Sequence, residues 1–430
     1  MIDNKILKYT LQKMATDVDK CQCSVEKKLK YELNLEHGEI SLLRTTIDNA
    51  YQVIVIKDNK KGSITINKTD ELSVDEALTT VMDICLNSES DEAYDIAPVV
   101  ENKAFIYGDE KPNLDKMYDL LEGYVKDIKE KYPTIKLMDT AISFTITVKY
   151  LMNSNGVDFK EQKGIYEFSS LFSAKEEEKS SSFNYSGYTL SKLEKDLLSY
   201  GSIKRVLDET VKQIDTRGVQ GKFNGDVIIT PDCLLQFIYL YIQVYLTDMP
   251  LISGTSKLKD KLNEQVTSPF LTLHTRPRGE EIASRSYLTN DGFEAQNMTI
   301  IENGILKSFV LTQYGANKTG LERAKNTSEC IVVEPGDTQA SEMIKSIDKG
   351  VLVNRVSGGM PNDNGDFSVV LKNSFYIENG EVKYPLNETM IALNLMDAME
   401  NITAISQETI NFGSHVLPYI KIKDVLISGK

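Results

Sequence analysis

The run "CLLQFIYLYIQVYL", Cys233–Leu246, is apolar around its whole circumference if helical, and it limits the fold more than any other stretch. A helix with no charged face is not a surface helix, so the rest of the chain has to enclose it. Thr230 and Pro231 mark its start, since proline is tolerated at the first helical position, where its missing N–H is no loss. The run is too short to cross a bilayer and contains Gln236 and Gln243, so it reads as a buried helix of a soluble protein. At 430 residues the chain is long enough to build the enclosing core, in two or three domains by size alone.

Strand patterns separated by turn residues fill much of the remainder. After an amphipathic opening helix with charges throughout and no signal-peptide core, "KLKYELNLEHGEISLL" predicts a strand, a turn at His37-Gly38 and a second strand. "AYQVIVIK" and "SITINK" form a hairpin pattern around "DNKKG". "SVDEALTTVMDICLNS" predicts a helix, with Ser73 as N-cap and Glu76 completing a capping box. A polar loop precedes a second helix, "NLDKMYDLLEGYVKDIKEKY", stopped by Pro133, and then strands turning at Asn155-Gly156. "TLSKLEKDLLSYGSIKRVLDETVKQI" predicts a long charged helix interrupted near Gly201. The glycines of "DTRGVQGKFNGD" mark the main boundary, giving segments 1–100 and 101–218 as one N-terminal unit and 219–430 as a second. Beyond it, Asn-Gly pairs at 303, 364 and 379 punctuate β-rich sequence, "NETMIALNLMDAMENI" reads as a helix, and "YIKIKDVLIS" as the closing strand. The expected class is α+β, a mixed α/β N-terminal part followed by a β-rich part around the apolar helix.

Charge and titratable residues exclude several chemistries. With 49 Lys+Arg against 63 Asp+Glu the net charge is −14, the wrong sign for displacing counterions from nucleic acid. Five scattered cysteines (21, 23, 85, 233, 330) have no framework spacing and read as reduced, buried thiols of a cytoplasmic protein; Cys21 and Cys23 fall on one strand face. Only three histidines occur, His37, His274 and His415, each in a different segment, whereas catalytic zinc takes three protein ligands, usually two close on one element. No nucleophile elbow or phosphate loop is present. The remaining candidate is "SGGMPNDNGDFS", Ser357–Ser368. Gly358 and Gly359 permit close backbone approach there, and Asp363, Asn364 and Asp366 can bond local amides, as in a long hairpin loop or a loop lining a cleft.

That loop opens a longer stretch, "RVSGGMPNDNGDFSVVLKNSFYIENGEVKYPLNETMIALNLMDAMENI", which resembles the C-terminal signature of the TldD/PmbA family, once called modulators of DNA gyrase. "ELNLEHGEISLLR", "DNKKGSITIN", "YLMNSNGVDFK" and "KLNEQVTSP" extend the resemblance over most of the chain. TldD-branch members carry His-Glu-x-x-x-His on the helix before the "EQVTSP"-like segment, with a cysteine near the C-terminus as third zinc ligand. Here that helix reads "LLQFIYLYIQVYL" and the terminal region "NFGSHVLPYIKI". The sequence is therefore similar to the PmbA, or TldE, branch. The resemblance implies a chain with no cofactor of its own, paired with a zinc-bearing TldD-like paralogue or forming a homodimer. In the family such pairs are cytoplasmic metallopeptidases that cleave extended unfolded or leader peptides. On this reading Gly358, Gly359 and Asp366 are the candidate peptide-cleft loop residues, chosen from the loop itself, with no catalytic residue, metal ligand, nucleic acid or membrane contact assigned. A stand-alone homodimeric peptide-binding or regulatory protein without turnover is the other reading.

Overall fold

A computed structural model of the chain describes residues 4–36, 38–99, 101–326 and 329–429. His37 lies outside the described residues. The architecture is α+β, built on two sheets.

The first sheet follows from two long hairpins laid side by side. β1 (Lys20–Glu36) pairs antiparallel with β2 (Glu39–Lys57), and β2 continues into β3 (Lys60–Ile66). The two expected strands "EISLL" and "AYQVIVIK" are thus one strand. After β4 (Lys103–Tyr107), β5 (Ile135–Asn153) and β6 (Asp158–Glu176) form the second hairpin, and β1 joins β5 from Gln22↔Asn153 to Asn34↔Ala141. The short β7 (Lys179–Ser180) and β8 (Asn184–Leu190) extend the outer edge of β6.

Alternation places the apolar residues of these strands on one face, where the helices cover them. Helices α1 (Lys5–Met14) and α2 (Glu71–Asn87) pack on Cys21, Cys23, Val25, Tyr51 and Val53, so both thiols are core residues. Asp70, not Ser73, caps α2: its carboxylate accepts from the Ser73 amide at 3.0 Å, which sets the helix start three residues earlier than the capping-box pattern. Helices α3 (Leu114–Lys131) and α4 (Ile203–Lys212) cover Leu33, Ile142, Phe144, Phe168 and Phe172. The expected long charged helix is confined to α4. Thr189 and Leu190 belong to β8, and the chain bends at Gly201, φ 55°, before helix can propagate.

The second sheet encloses the apolar helix. Its centre is β9 (Lys222–Ile229), flanked by the long closing strand Val416–Ser428 and by Lys349–Val353. The apolar run is helix α5 (Pro231–Tyr245), started by Thr230 and Pro231. Phe237, Ile238, Tyr241, Ile242 and Tyr245 are buried in one core with Val227, Ile229, Val351, Phe367 and Ile420. Each such side chain contributes roughly 1.5–3 kcal/mol through burial. Asn303-Gly304 and Asn379-Gly380 both have positive φ and turn tight hairpins. The "NETMIALNLMDAMENI" segment departs from a single helix. Met390–Asn394 is a strand paired with both Asp366–Lys372 and the closing strand, and only Leu395–Glu400 is helical. Sheet pairing overrides helix propensity there.

The two sheets meet at Gly413. Thr189 of β8 donates its amide to Phe412 O at 2.8 Å, and a Cβ on Gly413, φ 77°, would collide with the Thr189 carbonyl oxygen. Gly413→Ala should therefore cost about 2 kcal/mol or more, from left-handed strain plus displacement of β8. The check is the midpoint of urea unfolding, and an unchanged midpoint contradicts this contact.

Candidate functional site

A cleft of about 520 Å³ lies where β8 faces α5. The α5 side presents Asp232, Leu235, Gln236, Tyr239, Leu240 and Gln243 at helical spacing, and the opposite wall is Tyr185, Ser186 and Gly187 of β8. Arg355, Met360, Phe412 and His415 close the ends. The lining is largely aliphatic and aromatic, with a few amide and charged groups at fixed places, the usual make-up of a ligand cleft.

Its charged corner is buried and internally neutralised. The side chain of Asp232, in the first turn of α5, is 3% exposed and pairs with Arg205 of α4, which reaches Glu209 at 2.6 Å with its other nitrogen. Ser202 Oγ also donates to Asp232, and Asn354 Nδ2 donates to Glu209 at 2.8 Å. Burial alone would lower the Arg205 pKa, but the charges of Asp232 and Glu209 outweigh it and the net direction is up. Burial moves Glu209 above the usual carboxylate range despite Arg205 beside it. Arg355 donates to Asp232 O at 2.8 Å and to Tyr185 O at 2.6 Å, with its guanidinium stacked 3.9 Å above the Tyr185 ring centroid. The edge strand and the buried helix are thereby tied by one side chain.

His415 is the single imidazole of the cleft. It stacks on Phe412 with centroids 4.5 Å apart, and its Nδ1 is 2.9 Å from Ser414 Oγ. Burial pushes it down to about 4, against the pull of Asp232, so it is neutral near pH 7. His274 sits elsewhere, within the short strand Leu273–Thr275, held by Thr299 at 3.0 Å and Glu334 at 2.9 Å.

A catalytic zinc needs three protein ligands and an open position. The cleft offers His415 and an Asp232 already engaged by Arg205, and its α5 wall supplies leucines, tyrosines and glutamines. Among the described residues no group of three or more His, Cys, Asp and Glu side chains is gathered as a metal site. The donor set does not fit zinc.

The glycine-rich loop joins strand Arg355–Ser357 to strand Asp366–Lys372. Gly358, φ 130°, and Gly359 make its outgoing bend and deliver Met360, 70% exposed, to the cleft rim. Asp366 stands at the other end, with its carboxylate 2.7 Å from Asn394 Nδ2. That bond, with a second from Asn362, lowers its pKa. Asn362 Oδ1 accepts from the amides of Asn364 and Asp366 at 3.0 Å each, so the loop is a local Asx knot. Gly365, φ 88°, lies against Tyr245 Oη of α5, where a Cβ would collide. The loop thus rests on the buried helix at one end and meets the cleft through Met360 at the other. Sequence patterns alone do not single out Arg205, Asp232, Arg355 or Tyr185; an aspartate opening an apolar helix is the one legible signal among them.

Residues 221–429 match the family model described as the PmbA/TldA metallopeptidase C-terminal domain. A "Metalloprotease PmbA homolog" of Haemophilus influenzae is 23% identical over 408 residues, 89% of this chain and 88% of that one. A "Zinc metalloprotease TldD homolog" of Saccharolobus solfataricus is 27% identical over 232 residues, 47% of this chain and 51% of its own. The crystal structure of TldE from Thermococcus kodakarensis superposes with a TM-score of 0.80 at 20% identity, covering 99% of this chain and 100% of that one, and so shares the fold.

Two outcomes check this geometry. Asp232→Asn breaks a buried pair and leaves Arg205 with less compensation, so urea unfolding should show a loss of about 3–5 kcal/mol. His415 binds its proton more weakly folded, at about 4, than unfolded, near 6.5. Its contribution is complete above pH 6.5 and is lost as pH falls towards 4, by about 2–3 kcal/mol. His415→Phe should lack that loss, so the stability difference between variant and wild type should change by this amount between pH 7 and pH 4.

Proposed function

The chain belongs to the TldD/PmbA family, and from that premise we propose that it is a PmbA/TldE-type subunit without a metal of its own, acting in the cytoplasm beside a zinc-bearing TldD-like paralogue. The observation that carries the proposal is the α5 wall of the cleft. Where the TldD motif would place two imidazoles and a glutamate on one helix, the cleft-facing positions are Leu235, Gln236, Tyr239, Leu240 and Gln243. Without a bound metal there is neither an activated water nor a Lewis acid for a scissile carbonyl, so peptide hydrolysis falls to the partner. Among the described residues no helix is long and apolar enough to cross a membrane, in keeping with this placement.

The role left to this chain is to hold the substrate extended. β8 pairs with β6 on one side, and among the described residues no strand pairs with its other side, where Tyr185–Gly187 border the cleft. Tyr185 O already accepts from Arg355 and Thr189 N already donates to Phe412 O, so an extended peptide can add to that edge only around Gly187, with a neighbouring side chain entering the cleft. Leu235, Tyr239, Leu240, Met360 and Phe412 favour an apolar side chain there. With Asp232 neutralised and His415 uncharged near pH 7, the cleft offers a charged residue little compensation for desolvation.

Co-expression tests this assignment. Hydrolysis of unfolded peptide should require both this chain and a His-Glu-x-x-x-His paralogue, and should vanish when the paralogue's ligands are replaced. This chain purified alone with stoichiometric zinc and full peptidase activity would overturn it.

A further inference from the structure

Two amides interrupt the apolar wall of the cleft. Gln236 and Gln243 line it from α5, with Tyr239 and Leu240 between them, and both are exposed. Neither side-chain amide has a hydrogen-bond partner among the described residues, whereas Asp232 and Arg355 of the same cleft are fully engaged. The two glutamines stand two helical turns apart, about 10.5 Å along one face of α5. Across the cleft, the Tyr185 carbonyl and the Thr189 amide both point away from β6. Backbone groups of successive strand residues point to alternate sides, so the N–H and C=O of Gly187 point away from β6 as well.

We propose that Gln236 and Gln243 form a main-chain clamp that holds three consecutive residues of an extended peptide against Gly187. A peptide whose middle residue bonds Gly187 turns the backbone groups of both neighbouring residues towards α5. The N–H of the first residue and the C=O of the third are then roughly 9 Å apart, two rises of about 3.4 Å plus the span from nitrogen to carbonyl within one residue. Two flexible side chains rooted about 10.5 Å apart reach both groups. A primary amide is donor and acceptor at once, so one glutamine takes the N–H and the other the C=O for either chain direction. It does this without bringing an unmatched charge into an apolar cleft. The clamp reads backbone, and it still defines a substrate class. The first and middle residues must each supply an N–H, which excludes proline from both, while the N–H of the third is not held and proline is tolerated there. The inference rests on the peptide-holding role proposed above and assigns the atoms that do the holding.

Fluorescence anisotropy of the full chain with labelled Gly-Ala-Ala-Leu-Ala-Ala-Gly tests it. Gln236→Met and Gln243→Met keep the side-chain length and remove the amide. Each should weaken binding roughly three- to tenfold, the worth of one hydrogen bond, with the urea midpoint unchanged because neither amide has a partner in the folded chain. N-methylation moved residue by residue along the peptide should lower affinity at two adjacent residues, and at the first of these the penalty should shrink in one of the two variants. Binding that ignores both substitutions, or an N-methyl penalty of the same size in the wild type and both variants, overturns the clamp and leaves the holding role standing. No binding by the wild type, alone or with a paralogue whose zinc ligands are replaced, overturns the holding role and the clamp together.

Discussion

The buried ion pair between Asp232 and Arg205 is the constraint on which the cleft depends. A carboxylate almost without solvent, at the first turn of an apolar helix, is tolerable only beside a fixed positive partner. The chain supplies that partner from α4, on the other sheet's helical layer, and doubles it with Arg355. Satisfying one charge therefore fixes α4 against α5. Because Arg355 also binds the Tyr185 carbonyl, it fixes the edge of β8 over the same helix. Arg355 thus spans the cleft end from the first turn of α5 to β8.

The same neutralisation gives the cleft its chemical character. Its acid is spent on arginines, its histidine is held uncharged by burial, and what faces the open volume is mostly carbon. A site intended to polarise a bond would keep charge unmatched until the substrate arrives. Here Asp232 is already matched by Arg205 and Arg355 within the chain.

Much of the fold was legible because its signals are local. The apolar circumference of Cys233–Leu246, the Asn-Gly turns and the strand alternation each needed only a short window, and the structure agrees with them. The failures share one physical cause. Residues Met390–Asn394 look helical in isolation but are claimed by two neighbouring strands, and Thr189–Leu190 look like a helix start but complete β8. Non-local partners decide such segments, and a single sequence does not display them. Of the candidate cleft, the sequence shows one wall, the apolar helix that becomes α5. The cleft's other features, Tyr185, Arg205 and Arg355, come together from three separated segments. Gly358 and Gly359 were readable as bends, whereas the Asn394 partner of Asp366 was not.

β1 lies between β2 and β5, and that position has a consequence for how the protein is made. Its first neighbour follows directly in the chain, but the second begins only at Ile135. At ordinary rates of chain growth, on the order of 5–20 s separate the emergence of the two strands from the ribosome. For that interval the nascent hairpin shows a bare backbone flank to solvent along Gln22–Asn34, although α1 and α2 have already emerged to cover Cys21, Cys23 and Val25. The layout thus favours a chaperone during translation, and it makes the arrival of β5 the event that commits the N-terminal half to its native pairing.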